Sequence, residues 1–137
     1  MNKTITIEAL IDKDLATVWD AWNGIDDIKS WAHASDDWEC PYAENNPVVG
    51  GKFLTRMSAK DGSASFDFNG TYTDVQNQKY IAYTIEGGRT VAITFVQTPE
   101  GVKVTETFEM EDENPEEMQR AGWQAILDNF KKYTELN

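Results

Sequence analysis

The fold is decided by the stretch Asn114–Leu136, which reads NPEEMQRAGWQAILDNFKKYTEL. Gln119 and four large side chains after it recur at steps of four, three, four and three residues: Trp123, Ile126, Phe130 and Tyr133. This is the spacing of one helix face, and charged residues occupy the opposite side. Asn114, Pro115 and, three residues after Asn114, Glu117 are typical of a helix start. The stretch therefore predicts a helix of about six turns with an aromatic-rich face.

Alternating apolar residues ahead of this helix predict six strands. The runs are Thr4–Ala9, Lys52–Ser58, Ser65–Val75, Tyr80–Glu86, Arg89–Gln97 and Val102–Glu109. Two short amphipathic helices separate the first two runs, one from Leu15 to Asn23 and one from Ile25 to Trp31. Because only short turns connect the later runs, we expect an antiparallel meander.

The order β-α-α-β5-α predicts an α+β fold in a single domain over residues 1–137. A curved antiparallel sheet would wrap around the long C-terminal helix and leave an internal cavity between them. The segment Ala32–Gly50 has no clean period and contains Pro41 and Pro47. We interpret it as a long loop that, with the two short helices, bounds the mouth of the cavity.

The composition excludes several classes of partner. The formal net charge is −12 and the isoelectric point is about 4.3, so nucleic acid is not an expected partner. No apolar run approaches the length of a membrane span, so membrane insertion is not expected. Cys40 is the single cysteine and cannot form an internal disulfide. Together with the absence of a cationic, apolar leader, this indicates a cytoplasmic protein.

Several short motifs resemble those of a known superfamily. They are Val18–Trp22 (VWDAW), Ile28–Trp31, Gly50–Phe53 (GGKF), Phe68–Tyr72 (FNGTY), the pair Gly122-Trp123 and Leu127–Phe130 (LDNF). Over essentially the whole chain they resemble the START-like or SRPBCC superfamily, whose fold is the helix-grip fold. Within the superfamily the chain is most similar to the bacterial branch related to the activator of the heat-shock-protein-90 ATPase. Ala34–Trp38, Arg56-Met57 and Lys60–Ser63 resemble a subgroup of that branch. The resemblance implies functions that range from lipid carriers to ring cyclases and co-chaperones, and it carries over no catalytic residue.

The candidate metal ligands are His33, Asp36, Asp37 and Cys40. On a helix their spacing would let them converge on an ion, but the set lacks a second His or Cys, and Ser35-Asp36 is typical of a turn. One Cys and one His also cannot supply the iron–sulfur ligands of ring-hydroxylating relatives. We therefore expect neither a metal site nor a cofactor.

Glu106 is the carboxylate of most interest. Strand parity places it on the face shared by Val104 and Phe108, where an unpaired carboxylate would be costly and would tend to protonate. Arg56 or Arg89 could pair with it, or a bulge could turn it outward. The functional interpretation is a polar anchor at the end of an apolar cavity.

An excess of aromatic residues is predicted on the face of the sheet that meets the helix. The cavity candidates are Trp31, Trp38, Arg56, Phe66, Phe68, Tyr72, Tyr83, Phe95, Glu106, Phe108, Gln119, Gly122 and Trp123. Such a stripe is often simply core, whereas the polar tips of its tyrosines, Gln119 and Trp123 favour a ligand pocket. Gly122 either lets a strand approach closely or leaves space beside Trp123.

Three functions remain open from the sequence. The first is a binding protein that holds a small hydrophobic or amphipathic molecule between sheet and helix. The second is a cyclase- or hydrolase-type enzyme that uses Glu106 or a tyrosine as its acid–base group. The third is a protein-interaction module, such as a chaperone partner, which predicts an exposed apolar patch. In each case we expect a monomer or weak dimer.

Overall fold

A seven-stranded antiparallel sheet and a long C-terminal helix dominate the computed structural model, which describes residues 3–137. The elements are β1 (Thr4–Ile11), α1 (Leu15–Asn23), α2 (Ile25–Trp31), β2 (Trp38–Asn45), β3 (Lys52–Ala59), β4 (Ser65–Gln76), β5 (Tyr80–Ile85), a 3-10 turn (Glu86–Gly88), β6 (Thr90–Thr98), β7 (Gly101–Glu109) and α3 (Glu116–Leu136). The strand order is β1-β7-β6-β5-β4-β3-β2, and the sheet curls into a half-barrel. The α+β helix-grip prediction is therefore confirmed.

Strand alternation decides which side chains enter the core. On β7, Val102, Val104, Glu106 and Phe108 are buried, while Lys103 between them is exposed. Glu106 pairs with Ile7 of β1 and with Ile93 of β6 in the ladder. The parity prediction for Glu106 is confirmed, because no bulge interrupts the pairing of β7 with β1 or β6.

The helix α3 follows the edge strand β1. Three of its side chains donate hydrogen bonds to β1 carbonyls: Arg120 to Thr6 at 3.3 Å, Gln124 to Glu8 at 3.2 Å and Lys131 to Leu10 at 2.6 Å. These contacts occupy backbone groups that an edge strand otherwise leaves unpaired. They also fix the orientation of α3 and its position along β1.

The predicted helix start, with Asn114 at the N-cap and Pro115 as the first helical residue, is one residue too early. Pro115 occupies the N-cap without a side-chain cap, and α3 begins at Glu116. Instead of capping through its side chain, Asn114 accepts a hydrogen bond on its carbonyl from Gln119 Nε2, at 2.7 Å. The C-terminal half of α3 packs on the short helices, since the Phe130 ring lies 4.9 Å from that of Trp22.

The long loop predicted for Ala32–Gly50 is wrong in part, because Trp38–Asn45 forms the edge strand β2, paired with β3. Its register shifts between Glu39 and Tyr42, and Pro41 lies inside this irregularity. An edge strand tolerates proline at a bulge because no ladder hydrogen bond is needed there. The bulge places Cys40 and Ala43 both in the core although three positions separate them. The sequence of β2 therefore lacks the alternation of buried and exposed residues by which a strand is recognised.

Candidate functional site

A cavity of about 190 Å³ lies between the concave face of the sheet, α2 and the first half of α3. Its lining comes from both short helices, five strands and α3: Trp22, Ile28, Trp31, Ala32, Asn45, Phe53, Thr55, Met57, Phe66, Phe68, Tyr72, Tyr83, Glu106, Trp123, Ile126 and Leu127. Most of these side chains are aromatic or aliphatic. Apolar walls with a few placed polar groups are the usual composition of a small-molecule site.

Aromatic rings in mutual contact form the walls. The Phe53 ring lies edge-on to Tyr83 at 4.7 Å between centroids, and Phe68 lies edge-on to Trp123 at 5.8 Å. The Phe68–Trp123 contact joins β4 to α3 across the cavity. Trp123 also stacks on Phe108, with the centroids 3.9 Å apart and the rings 9° from parallel. On the helix side the Trp123 ring is therefore held between Phe68 and Phe108, and Ile126 and Leu127 complete the lining from α3.

Two hydrogen bonds hold a polar corner of the cavity. The Tyr72 hydroxyl donates to Oδ1 of Asn45, and Nδ2 of Asn45 donates to the carbonyl of Asn23 at 2.8 Å. Burial raises the pKa of Tyr72, so this hydroxyl stays protonated at neutral pH. The pair links β4, β2 and the end of α1.

Glu106 lies at the base of the cavity and is 6% exposed. Within residues 3–137 its carboxyl has no hydrogen-bond partner and no cation in contact. Burial alone raises the pKa of Glu106 to about 8, so the group is mostly neutral at pH 7. Burial and the nearby Glu106 also raise the pKa of Tyr83 well above its usual value.

The two arginines proposed as partners for Glu106 are engaged elsewhere. Arg56 lies on the outer face, where its Nε donates to Asp67 at 2.8 Å and its guanidinium covers the Tyr42 ring. Arg89 donates to the carbonyl of Glu109 at 3.3 Å. The ion-pair interpretation of Glu106 is wrong for these two partners, and the outward-facing interpretation is wrong as well.

Seven of the thirteen predicted cavity residues line the space: Trp31, Phe66, Phe68, Tyr72, Tyr83, Glu106 and Trp123. Gln119 does not line the cavity. Its side-chain amide contacts the loop before α3, where its Oε1 accepts a hydrogen bond from the Glu111 N–H at 3.0 Å. Gly122 faces open space, since a Cβ there would meet no atom within 4 Å. The expectation of close strand approach at Gly122 is therefore wrong.

The remaining predicted residues lie outside the cavity for reasons of packing. Phe95 contacts the Trp19 and Trp22 rings, at 5.2 and 5.8 Å. Phe108 is separated from the cavity by the Trp123 ring stacked on it. Trp38 packs beside Phe66, at 5.9 Å, and Arg56 points to the outer face.

Sequence reasoning missed several lining residues. Phe53, Thr55 and Met57 alternate along β3, so the parity rule used for Glu106 identifies them too. Asn45 lies on β2, whose bulge interrupts the alternation of buried and exposed residues, so the sequence pattern does not predict this strand. Trp22 and Leu127 reach the cavity from helices, where the sequence pattern assigns them to core but not to a pocket.

The candidate metal ligands do not converge. Asn129 Nδ2 lies 3.1 Å from Nε2 of His33, and the Cys40 thiol donates to the Tyr42 carbonyl at 3.4 Å. Burial raises the pKa of the Cys40 thiol, which disfavours the thiolate. In the part of the chain that the structure describes, no group of three or more His, Cys, Asp or Glu is placed to hold a metal.

A second concavity of about 660 Å³ lies on the outer face of the sheet, bordered by Glu44, Lys52, Asn69, Thr71 and Thr84. It is larger and more open to solvent, and of the aromatic side chains of the inner cavity Phe53 borders it as well. The inner cavity is the stronger candidate because it is the less open of the two and holds a buried carboxyl without a partner. Among the helices of residues 3–137, none is long and apolar enough to cross a membrane.

A family model described as activator of Hsp90 ATPase homolog 1-like protein matches residues 13–135. The chain belongs to this family. The resemblance to the bacterial branch of the START-like superfamily is thereby confirmed.

Solved structures of similar proteins share the fold of this chain. The solution structure of the AHSA1-like protein from Aeromonas hydrophila is 45% identical, covers 98% of this chain and 93% of that chain, and has a TM-score of 0.93. A solution structure from Cytophaga hutchinsonii is 46% identical with the same coverage and a TM-score of 0.84. A crystal structure from Chromobacterium violaceum, 21% identical with 97% and 98% coverage and a TM-score of 0.87, shows the shared fold alone. Among curated proteins no significant match was found.

Proposed function

We propose that this AHSA1-like protein binds a small hydrophobic molecule that carries one polar group. The ligand would lie between the sheet and the first half of α3, with its polar group at Glu106. The observation that carries this proposal is a buried carboxyl without a partner at the base of an aromatic cavity.

The energetic argument concerns the carboxyl. Burying a polar group without a hydrogen-bond partner costs about 1–3 kcal/mol on mutational scales, and an apolar residue would avoid that cost. Ile7 and Ile93 flank Glu106 in the ladder, so the site itself is apolar. A ligand that satisfies the carboxyl would remove the penalty only in the complex. Strongly shifted titratable groups in a cavity are candidates for function for this reason.

The volume limits the size of the ligand. An engineered apolar cavity of about 150 Å³ takes up benzene, so about 190 Å³ accommodates one aromatic ring or a short branched chain with its polar group. A long acyl chain requires the cavity to extend past Phe66, which is 52% exposed. We therefore propose a fragment-sized ligand.

A cytoplasmic location fits the single buried cysteine, Cys40.

A thermal-shift series with small aromatic compounds tests the proposal. A ligand present at 100 times its Kd stabilises the native state by about 2.7 kcal/mol, a rise in Tm of roughly 10 °C for a chain of this size. In Thr55→Leu the larger side chain enters the cavity and should abolish the shift. Thr73→Leu makes the same change on the exposed outer face and should retain it. If no compound raises the Tm of the unmodified protein, the proposed function is wrong.

Acid–base catalysis is the second candidate, favoured by the shifted pKa of Glu106 beside the Tyr83 hydroxyl. A neutral carboxyl at pH 7 is a competent general acid when a reacting atom lies within hydrogen-bond distance. A compound that binds and is chemically converted, with conversion lost in Glu106→Gln but binding retained, would establish the enzyme. Recovery of the bound compound unchanged after long incubation would count against it.

A further inference from the structure

We propose that the cavity selects small amphipathic amines, whose ammonium group pairs with the Glu106 carboxylate while the apolar part lies among the aromatic rings. The inference rests on the proposed function, because it names the ligand class of the same cavity. Three observations carry it: the sign of the charge in the cavity, the chemistry of its walls and the isolation of the carboxyl.

The ionisable groups of the cavity favour cations. Of its sixteen lining residues, all within the described chain, none is Lys, Arg or His, and Glu106 is the one carboxylic acid. The other titratable groups facing the space are the hydroxyls of Tyr72 on β4 and Tyr83 on β5. A carboxylate or phosphate ligand would therefore enter a buried space that has no cation to pair with it, which is costly. The chain's net charge of −12 further disfavours anions.

The walls also suit a cation. The faces of Trp, Tyr and Phe rings attract an ammonium group within about 6 Å, most strongly when water is excluded. Trp31, Phe68, Tyr83 and Trp123 all line the same space as Glu106. An anion or a neutral hydroxyl gains no comparable attraction from these ring faces.

The isolated carboxyl makes the binding of an amine measurable as a release of protons from the protein. Burial keeps free Glu106 protonated at neutral pH, whereas an adjacent ammonium favours its charged form. Binding of an amine at pH 7 should therefore release about 0.9 proton, and its affinity should rise about tenfold per pH unit between pH 6 and 7. Binding of a neutral molecule should release no proton. Tyr72 and Tyr83 do not interfere, because burial raises the pKa of both hydroxyls.

Three probes of matched size separate the possibilities: benzylamine, benzyl alcohol and benzoate, titrated calorimetrically into the full chain at pH 6 and 7. We expect benzylamine to bind at least tenfold more tightly than benzyl alcohol at pH 7, and benzoate not to bind. Titration of benzylamine in two buffers of different ionisation enthalpy should give the proton release. Glu106→Gln should lose the preference for the amine and keep the alcohol, whereas Glu117→Gln, the same change at an exposed position of α3, should behave as the unmodified protein.

The outcomes distinguish this inference from the proposed function. Equal or tighter binding of the alcohol, or a preference for benzoate, would overturn the amine inference and leave the binding function standing. A preference for the amine that persists in Glu106→Gln would overturn the role of the carboxyl and with it the inference. If none of the three probes binds to the folded protein, both the inference and the proposal of a fragment-sized ligand are overturned.

Discussion

Replacing Glu106 by glutamine should make the protein more stable, and increasingly so as the pH rises. The carboxyl is 6% exposed, lies between Ile7 and Ile93 in the ladder, and has a pKa of about 8 in the native state. In the unfolded chain the same group has its ordinary pKa, which is near 4.5. Glutamine has nearly the same shape and never ionises, so the substitution removes the titration and keeps the packing.

The sign follows from proton binding. Between about pH 4.5 and 8 the native state keeps the Glu106 proton and the unfolded state loses it, so the free energy of unfolding falls as the pH rises, by about 1.4 kcal/mol per unit. Below pH 4.5 both states are protonated, and above pH 8 both are ionised. Between pH 5 and 8 the stability of the unmodified protein should therefore fall by about 3.5 kcal/mol relative to Glu106→Gln. This value is an upper bound, because water entering the cavity would screen the charge.

Urea denaturation of both proteins at pH 5, 6, 7 and 8 measures this difference. The other carboxylates titrate equally in the two chains, so they cancel when the free energies of unfolding are subtracted. Glu117→Gln provides the matched control, since the same charge is removed from an exposed position. A difference between the unmodified protein and Glu106→Gln that stays constant from pH 5 to 8 would refute the reasoning. It would mean that the native carboxyl is already ionised and stabilised by its surroundings.

Three further substitutions test the packing of the fold outside the cavity. Gly70→Ala should lower the free energy of unfolding by about 1–3 kcal/mol, because the added Cβ would lie 2.6 Å from the Thr84 carbonyl oxygen and 2.8 Å from the Phe53 ring; urea denaturation measures the loss. Gly122→Ala should raise it by about 0.5–1 kcal/mol, since the position is helical and open; an unchanged or lower Tm would show a hidden contact. Thr134→Val should be neutral or stabilising by about 1 kcal/mol, because the buried Thr134 hydroxyl has no partner within residues 3–137; a clear loss in Tm would reveal one.

The parts of the structure that local periodicity controls could be predicted from the sequence. The α3 stripe and the alternation on β7 follow directly from side-chain geometry, and these two patterns place Glu106 and Trp123 at the cavity. The same rule applied to β3 would have added Phe53 and Thr55. Strand parity is informative in these strands because both ladders of β7 and the β3–β4 ladder run without interruption.

Features that depend on distant partners could not be predicted in this way. The Cys40–Ala43 spacing in β2 results from a bulge against β3, which no period of two reveals. Gln119 has the right position in the stripe to face the cavity, yet three hydrogen bonds to the loop at Glu111 and Asn114 use its amide. Arg56 likewise has Asp67 as its cross-strand neighbour, and that pairing holds it on the outer face.

The cavity follows from a mismatch between the width of the sheet and the width of one helix. Seven strands at about 4.8 Å spacing span about 29 Å, whereas a helix with its side chains is about 10–12 Å across. Hydrogen bonds to β1 hold α3 at one edge of the sheet, and α2 packs against β2 at the opposite edge. Curling of the sheet narrows the remaining gap, and the longest side chains bridge it, as Phe68 does with Trp123. Among the described residues that line this gap Glu106 is the one carboxylic acid, so an apolar residue of similar size there, as in Glu106→Met, should bind benzylamine no more tightly than benzyl alcohol while leaving the fold intact.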